Sequence, residues 1–497
     1  MRYVKHFGVK VSLLRVGVTA GLIAVLTTGG VAGQKDKPTK QSVIRNLQPY
    51  LDATGFVVTY NANGNIDTSS EFFQSLGTNG RSCATCHVVG QAMSFSATSA
   101  RQRFAETRGR DPLFAPVDGA NCPTAKTGDA LGHSMILGSG VIRVSIAAPT
   151  GSPEFAVQAA YDPYGCAIDT STGQQMLSFY RRPLPSTNVR FLSAVMFDGR
   201  ESVAFPLGTP ATFANNLTAA LTSQALDATR GHAQASVDPT PEQLASIVNF
   251  EMGLTTAQVY DFNAGMLQGN GVQGGPLSLI GQSYYPGIND SLTPPIFTPT
   301  IFTLYSNWTT QPGHSMMARA REQIAAGEQL FNSFPINITD VRGINDNAAL
   351  GSPAVVTGTC GTCHDSPNVG DHSLPLPLDI GTGHSPKYET NAQIKAALAQ
   401  LSLPKLPVYQ VTGCTEPFTG ETTIYTTDLG KGALTGKCAD LNRIKGPILR
   451  GLAARAPYFH NGAAANLMEL VNFYDQRFAM GLTKEQKADL VAFLNTL

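Results

Sequence analysis

Apolar residues recur at helical spacing in several parts of the chain and alternate with polar ones in others. In TPEQLASIVNFEMG, residues 240–253, Leu244, Ile247, Val248 and Met252 repeat along one face behind a Thr240 cap and Pro241, which predicts an amphipathic helix. MMARAREQIAAGEQLFNSF, residues 316–334, predicts a second. Near the C-terminus Leu467, Leu470, Val471 and Tyr474 form one inward stripe, and Thr483 with Gln486 makes a capping box that starts a last helix and leaves Met480 in the turn before it. Alternation appears in FVVTYNANGNI, residues 56–66, where Asn63-Gly64 predicts a hairpin leading into the first cysteine pair. A strand-rich block follows through GVIRVSIAAP, EFAVQAAYDPYGC and LSFYRRPLP. Residues 268–315, rich in Gly, Pro, Ser and Thr, read as a long connection, either folded over the body or a linker. The expected fold is mainly α, with inserted β-hairpin segments and long Gly/Pro-rich loops.

Composition narrows the function. Lys and Arg balance Asp and Glu at 35 each in 497 residues, so no net charge attracts nucleic acid. Arg2, Lys5, Lys10 and Arg15 precede an apolar run from Val16 to Val31 and small residues to Gly33, the layout of a cleaved secretory signal over residues 1–33; the alternative is an uncleaved anchor. No later stretch is long and apolar enough to cross a membrane, so a periplasmic location without stable membrane insertion is expected.

The eight cysteines are of two kinds. Cys122, Cys166, Cys414 and Cys438 stand alone, and in an exported chain such residues form disulfides. Of the three possible connectivities, locality favours Cys122 with Cys166 and Cys414 with Cys438. The other four lie in CATCH, Cys83 to His87, and CGTCH, Cys360 to His364. This spacing lets one tight turn present two thiols to the two vinyl groups of a porphyrin while the next residue turns its imidazole under the iron. A redox dithiol or half a zinc site uses the Cys pair alone, but two copies each completed by His predict two covalently bound haem c groups with His87 and His364 as proximal ligands. The other ligand of each iron decides between electron transfer and peroxide or dioxygen chemistry. For it, His133, His232, His314, His372, His384 and His460 stand as candidates beside several Met and Tyr.

CATCH and CGTCH in this order, MFDGRE (Met196 to Glu201) between them, and LRGLAARAPYFHNGAAANLMELVNFY (Leu449 to Tyr474) resemble the bacterial di-haem cytochrome c peroxidases and the related methylamine-utilisation protein MauG. The resemblance implies two cytochrome c-like haem domains facing a shared interface, here residues 34–267 and 316–497, joined by the connection 268–315. It implies that electrons from a small periplasmic donor protein enter at the C-terminal haem and that hydrogen peroxide is reduced at the N-terminal one. The family's C-terminal distal ligand lies fourteen residues beyond the His of the YFH motif, which from His460 is Tyr474; the peroxidases place Met there and MauG places Tyr. In the family a Gln and, ten residues later, a general acid/base Glu line the peroxide pocket. Here those places fall on Gln224 and Gln234. An amide cannot shuttle a proton, so His232, two residues earlier, is the expected substitute. Three further positions bear on the haems: Phe197 replaces the family's Trp before Asp-Gly-Arg, Arg200 is expected on a haem propionate, and His460 near the same interface. Arg455 replaces the Thr of the family's inter-domain calcium site, which leaves calcium doubtful.

These readings leave three functions. A peroxidase comes first; a MauG-like oxidase that modifies a partner protein is the alternative that Tyr474 favours, because an anionic oxygen ligand stabilises higher iron oxidation states. A non-enzymatic di-haem electron carrier would close both irons.

Overall fold

The computed structural model describes residues 43–202, 210–292 and 297–497; the expected signal segment lies outside them. The expectation of a mainly α fold is not met. Helix makes up 30% of the structure and strand 17%, spread over several sheets. The difference arises from pairings between segments far apart in sequence, which local periodicity does not reveal.

The 55–66 segment illustrates this. Its Asn-Gly turn forms, with Gly64 N donating to Asn61 O at 3.1 Å, but no hairpin follows from it. Strand Gly55–Asn61 pairs with Pro49–Leu51 on one side and with Leu254–Asp261 on the other, while Ile66–Asp67 pairs with Val43–Ile44. The Leu254–Asp261 strand leaves directly from helix Pro241–Gly253, whose Thr240 cap closes a capping box with Gln243.

The strand-rich block does form strands, and it recruits one from the other half of the chain. Ile142–Ala147 and Met176–Arg181 pair with each other, whereas Ala156–Tyr161 pairs with Val408–Thr412, which also pairs with Thr423–Thr426. Phe155, Leu177, Phe179, Tyr409, Val411 and Ile424 form their common core. Two disulfides brace this layer, Cys122–Cys166 with Cα atoms 5.9 Å apart and Cys414–Cys438 with 5.5 Å.

The 268–315 connection is folded against the body. Phe302, Tyr305 and Trp308 are buried with Phe331 and Phe493 of helices Met316–Ser333 and Lys484–Leu494. Those helices approach closely at Gly327, where a Cβ would stand 2.0 Å from Asp489 O.

At the end of strand Met176–Arg181, two adjacent arginines join the halves. Arg181 grips Asp428 through Nε and Nη2 at 2.7 and 2.8 Å and reaches Asp198 through Nη1, all three side chains being buried. Arg182 donates to the carbonyls of Gly140 at 2.6 Å, Arg455 at 2.9 Å and Phe95. Burial opposes the charged forms of Asp198 and Asp428, but the Arg181 guanidinium outweighs it and holds both below the ordinary carboxylate range. Their contribution to stability is therefore present above about pH 4, the unfolded value, and lost as pH falls through the lower folded values. Arg181→Met is expected to lower the unfolding free energy by about 3–5 kcal/mol, since it takes the guanidinium from buried Asp428 and leaves Asp198 with Arg200 alone. Urea unfolding at pH 7 and pH 3 checks this: the variant should lose less on acidification than the wild type does.

Candidate functional site

The two Cys-x-x-Cys-His segments fold alike although their surroundings differ. Each begins as a short 3-10 turn, Cys83–Thr85 and Cys360–Thr362, with a capping box between Ser82 and Thr85 in one and Thr359 and Thr362 in the other. The four thiols are free, and burial pushes them up to about 12 for Cys83, about 11 for Cys86 and about 12 for Cys360 and Cys363. His87 places Nδ1 3.0 Å from Met93 O, and His364 places Nδ1 2.6 Å from Gly370 O, six residues on in both cases. The two carbonyl-bearing residues take the same left-handed backbone, φ 54° at Met93 and 81° at Gly370. A carbonyl only accepts, so Nδ1 carries the proton and Nε2 keeps a lone pair free for a metal. Burial keeps both rings neutral, pushing His87 down to about 4 and lowering His364.

The second turn opens on a large apolar cavity with roughly 1730 Å³ free of protein atoms, its solvent-open mouth included. Cys360, Cys363, His364, Tyr474, Met480 and His460 all line it. Tyr474, on helix Leu467–Arg477, is stacked on Phe478 with centroids 6.3 Å apart, and its hydroxyl has no hydrogen-bond partner among the described residues. It is only half-buried by surface area although it lies deep in the protein, because its open side faces the cavity. Met480 sits after that helix, before the Thr483 cap, and faces the same space.

The N-terminal half also contributes to the cavity wall. Phe197 lines it, with its ring centroid 6.1 Å from that of His460. Ser94 lines it too. Met93 beside it bonds His87, so one hydrogen bond and one peptide link separate the first imidazole from the second cavity.

The six candidate histidines now separate. His133 has both ring nitrogens against carbonyls, at 2.7 and 3.0 Å, and His384 lies between Asp379 and Glu389, which with burial opposing them hold it protonated, up to about 10. His314 is exposed. His372 and His460 line the cavity with no hydrogen bond at Nε2, although that of His460 lies 3.9 Å from Asp428. His232 follows helix Pro210–Gly231 with Nδ1 on Asp118, which Arg81 also pairs, and it is near enough to His87 for its charge to oppose protonation there.

Other expected residues fall elsewhere. Gln224 is half-buried within helix Pro210–Gly231, and Gln234 is exposed, 3.3 Å from Asn79. Arg200 pairs with Asp198 at 2.8 Å and is not among the residues lining the cavity. Sequence reasoning missed Lys445 and Glu251 and met Arg455 only as a calcium-site replacement; Lys445 and Arg455 both line the cavity. Glu251 is 6% exposed, and burial pushes it up to about 8. It is close enough to Cys83 for its charge to raise that thiol. Its neighbour Phe250 packs on Phe72 at 4.7 Å, and Phe72 lies 6.3 Å from His87. The signal was there to find: Leu244, Ile247, Val248 and Glu251 continue one helical stripe, so the carboxylate occupies a core position.

These features fit a haem c at each turn: free thiols, an imidazole with Nε2 bare and, at the second, an apolar slot of sufficient volume with unpartnered buried donors on its wall.

No protein-family model matches the chain. It is 31% identical over 147 residues to the cytochrome-c peroxidase IdrP2 of Denitromonas iodatirespirans, covering 28% of this chain and 36% of that protein. It is 28% identical over 152 residues to the cytochrome-c peroxidase IdrP1 of Pseudomonas sp. (strain SCT), with the same coverage. The similarity is to bacterial cytochrome-c peroxidases. The matched stretch spans about a third of the length of these relatives, 36% in each.

Glu251 gives a direct test of the buried site. Its folded value, about 8, lies above the ordinary 4.5, so its contribution to stability is complete below pH 4.5 and is lost as pH rises toward 8. Glu251→Gln is expected to remove a slope of up to about 1.4 kcal/mol per pH unit across that window. Urea unfolding measured from pH 5 to pH 8 reads it.

Proposed function

We propose that this chain is an exported, periplasmic di-haem peroxidase, reducing hydrogen peroxide at the N-terminal site with electrons that a small donor protein delivers through the C-terminal one. Cys83 and Cys86 would hold one haem c and Cys360 and Cys363 the other, with His87 and His364 offering Nε2 to the irons. When bound, the haems supply iron that takes up and releases electrons singly and binds peroxide.

The chain's own residues supply the rest. The carbonyls of Met93 and Gly370 orient the imidazoles. Phe197 and His460 stand at the seam between the sites; Phe is hard to oxidise, so electrons would tunnel past it without a stop on the ring. The observation that carries a peroxidase over an electron carrier is Glu251, a buried carboxyl beside Cys83 that burial keeps protonated at neutral pH. An electron carrier needs no such group. Breaking an O–O bond does: the departing oxygen must receive a proton, and a protonated Glu251 would be a donor for it. His232, held by Asp118, is the other proton carrier near that site. The names of the relatives, cytochrome-c peroxidases, support the same reading.

The second reading, an oxidase acting on a partner protein in the manner of MauG, is favoured by Tyr474. Its hydroxyl opens on the cavity that receives Cys360, Cys363 and His364.

Steady-state peroxide reduction tests the first reading. Glu251→Gln is expected to lower turnover by about 10²–10⁴-fold at unchanged haem content, and wild-type activity should fall above pH 8 as Glu251 loses its proton. A full-strength Glu251→Gln enzyme together with an inactive His232→Ala enzyme would return the proton-carrying role to His232.

A further inference from the structure

The wall of the C-terminal cavity carries positive charge that makes no direct ion pair among the described residues. Lys445 and Arg455 both open on it. Lys445 is 5% exposed and burial pulls its pKa down although the Asp371 carboxylate favours its charge, and among the described residues no carboxylate lies within ion-pair distance of its ammonium. Arg455 donates from Nη2 to Ile448 O at 2.7 Å and leaves Nε without a partner. Burial pushes it down to about 10. A buried cation held outside ion-pair contact keeps much of its desolvation cost, so two on one apolar wall need an explanation.

Both are anchored by their backbones. Lys445 N donates to Phe197 O at 2.7 Å. The Arg455 carbonyl accepts from Arg182 Nη2 at 2.9 Å, and Arg182 is itself tied to Gly140 O and Phe95 O. The charged heads therefore project from the seam between the halves, which limits how far either can swing away. Arg200, expected on a propionate from sequence, is occupied by Asp198.

Resting on the reading of Cys360, Cys363 and His364 as a covalent haem site, we propose that Lys445 and Arg455 form a clamp for the two carboxylates of that porphyrin. They are positioning residues that set the electron affinity of the C-terminal site. The chemistry suits the pair: a guanidinium grips a carboxylate as a fork, and an ammonium acts as a point charge. Each cation offsets one negative charge near the iron. Without it the unpaired carboxylate favours the oxidised form, and the midpoint potential falls.

Mediated redox titration of the loaded full chain, followed by optical spectra that resolve the two haems, tests the clamp. Lys445→Gln and Arg455→Gln are each expected to shift the one-electron equilibrium at the C-terminal site about tenfold toward oxidation, a fall of about 59 mV. The N-terminal midpoint should stay in place, and Arg455→Lys should remain near wild type. Two separate positions keep the test open if one Gln variant does not fold. A loaded chain whose C-terminal midpoint is unmoved in Lys445→Gln overturns the clamp alone. Intact-mass measurement showing no porphyrin on Cys360 and Cys363 overturns the functional reading and the clamp together.

Discussion

The proton on Nδ1 of two imidazoles organises much of this molecule. His87 gives it to Met93 O and His364 to Gly370 O, and both carbonyls are aimed by a left-handed residue. Gly takes that conformation freely, whereas Met93 adopts it at a steric cost that the surrounding fold must bear. Fixing Nδ1 leaves Nε2 as the only free lone pair, and desolvation keeps the ring neutral. Around each loop the core then closes: Phe72 and Phe250 beside the first, Phe331 beside the second. Two different neighbourhoods thus support one local geometry.

The second constraint is the seam. Arg181 and Arg182 leave one strand in sequence and bind opposite partners, carboxylates in one case and bare carbonyls in the other. Through them the C-terminal cavity gains walls from both halves, including Phe197 and Ser94. In the proposed function, electron passage and cofactor seating would share this surface. A change at the seam is expected to alter both at once.

What could be read in advance follows from how local each signal is. The caps at Thr240, Ser315 and Thr483 are satisfied within three residues, and the helices behind them were legible from spacing alone. The paired Cys-x-x-Cys-His turns were legible for the same reason. The 55–61 strand was legible as a strand but not in its partners, because Leu254–Asp261 lies nearly two hundred residues away. That long-range pairing, with the one between Ala156–Tyr161 and Val408–Thr412, is why a mainly α expectation failed. Counting ten residues from Gln224 led to Gln234, which is exposed, while the helical stripe that ends on Glu251 pointed to a buried carboxyl. Arg200 is paired with Asp198, two residues away, a contact that no periodicity in the sequence marks.

The proposed function divides one reaction between two haem sites, the N-terminal one taking peroxide and the C-terminal one feeding it electrons. Optical and EPR spectroscopy of the purified protein, before and after peroxide and with and without one-electron pre-reduction, tests this most directly. Two distinguishable haems and peroxide consumption that requires half-reduction are the expected result. A long-lived oxidised species formed from the fully ferric protein would favour the partner-oxidising alternative. Two low-spin haems that ignore peroxide in both states would contradict the account and leave an electron carrier.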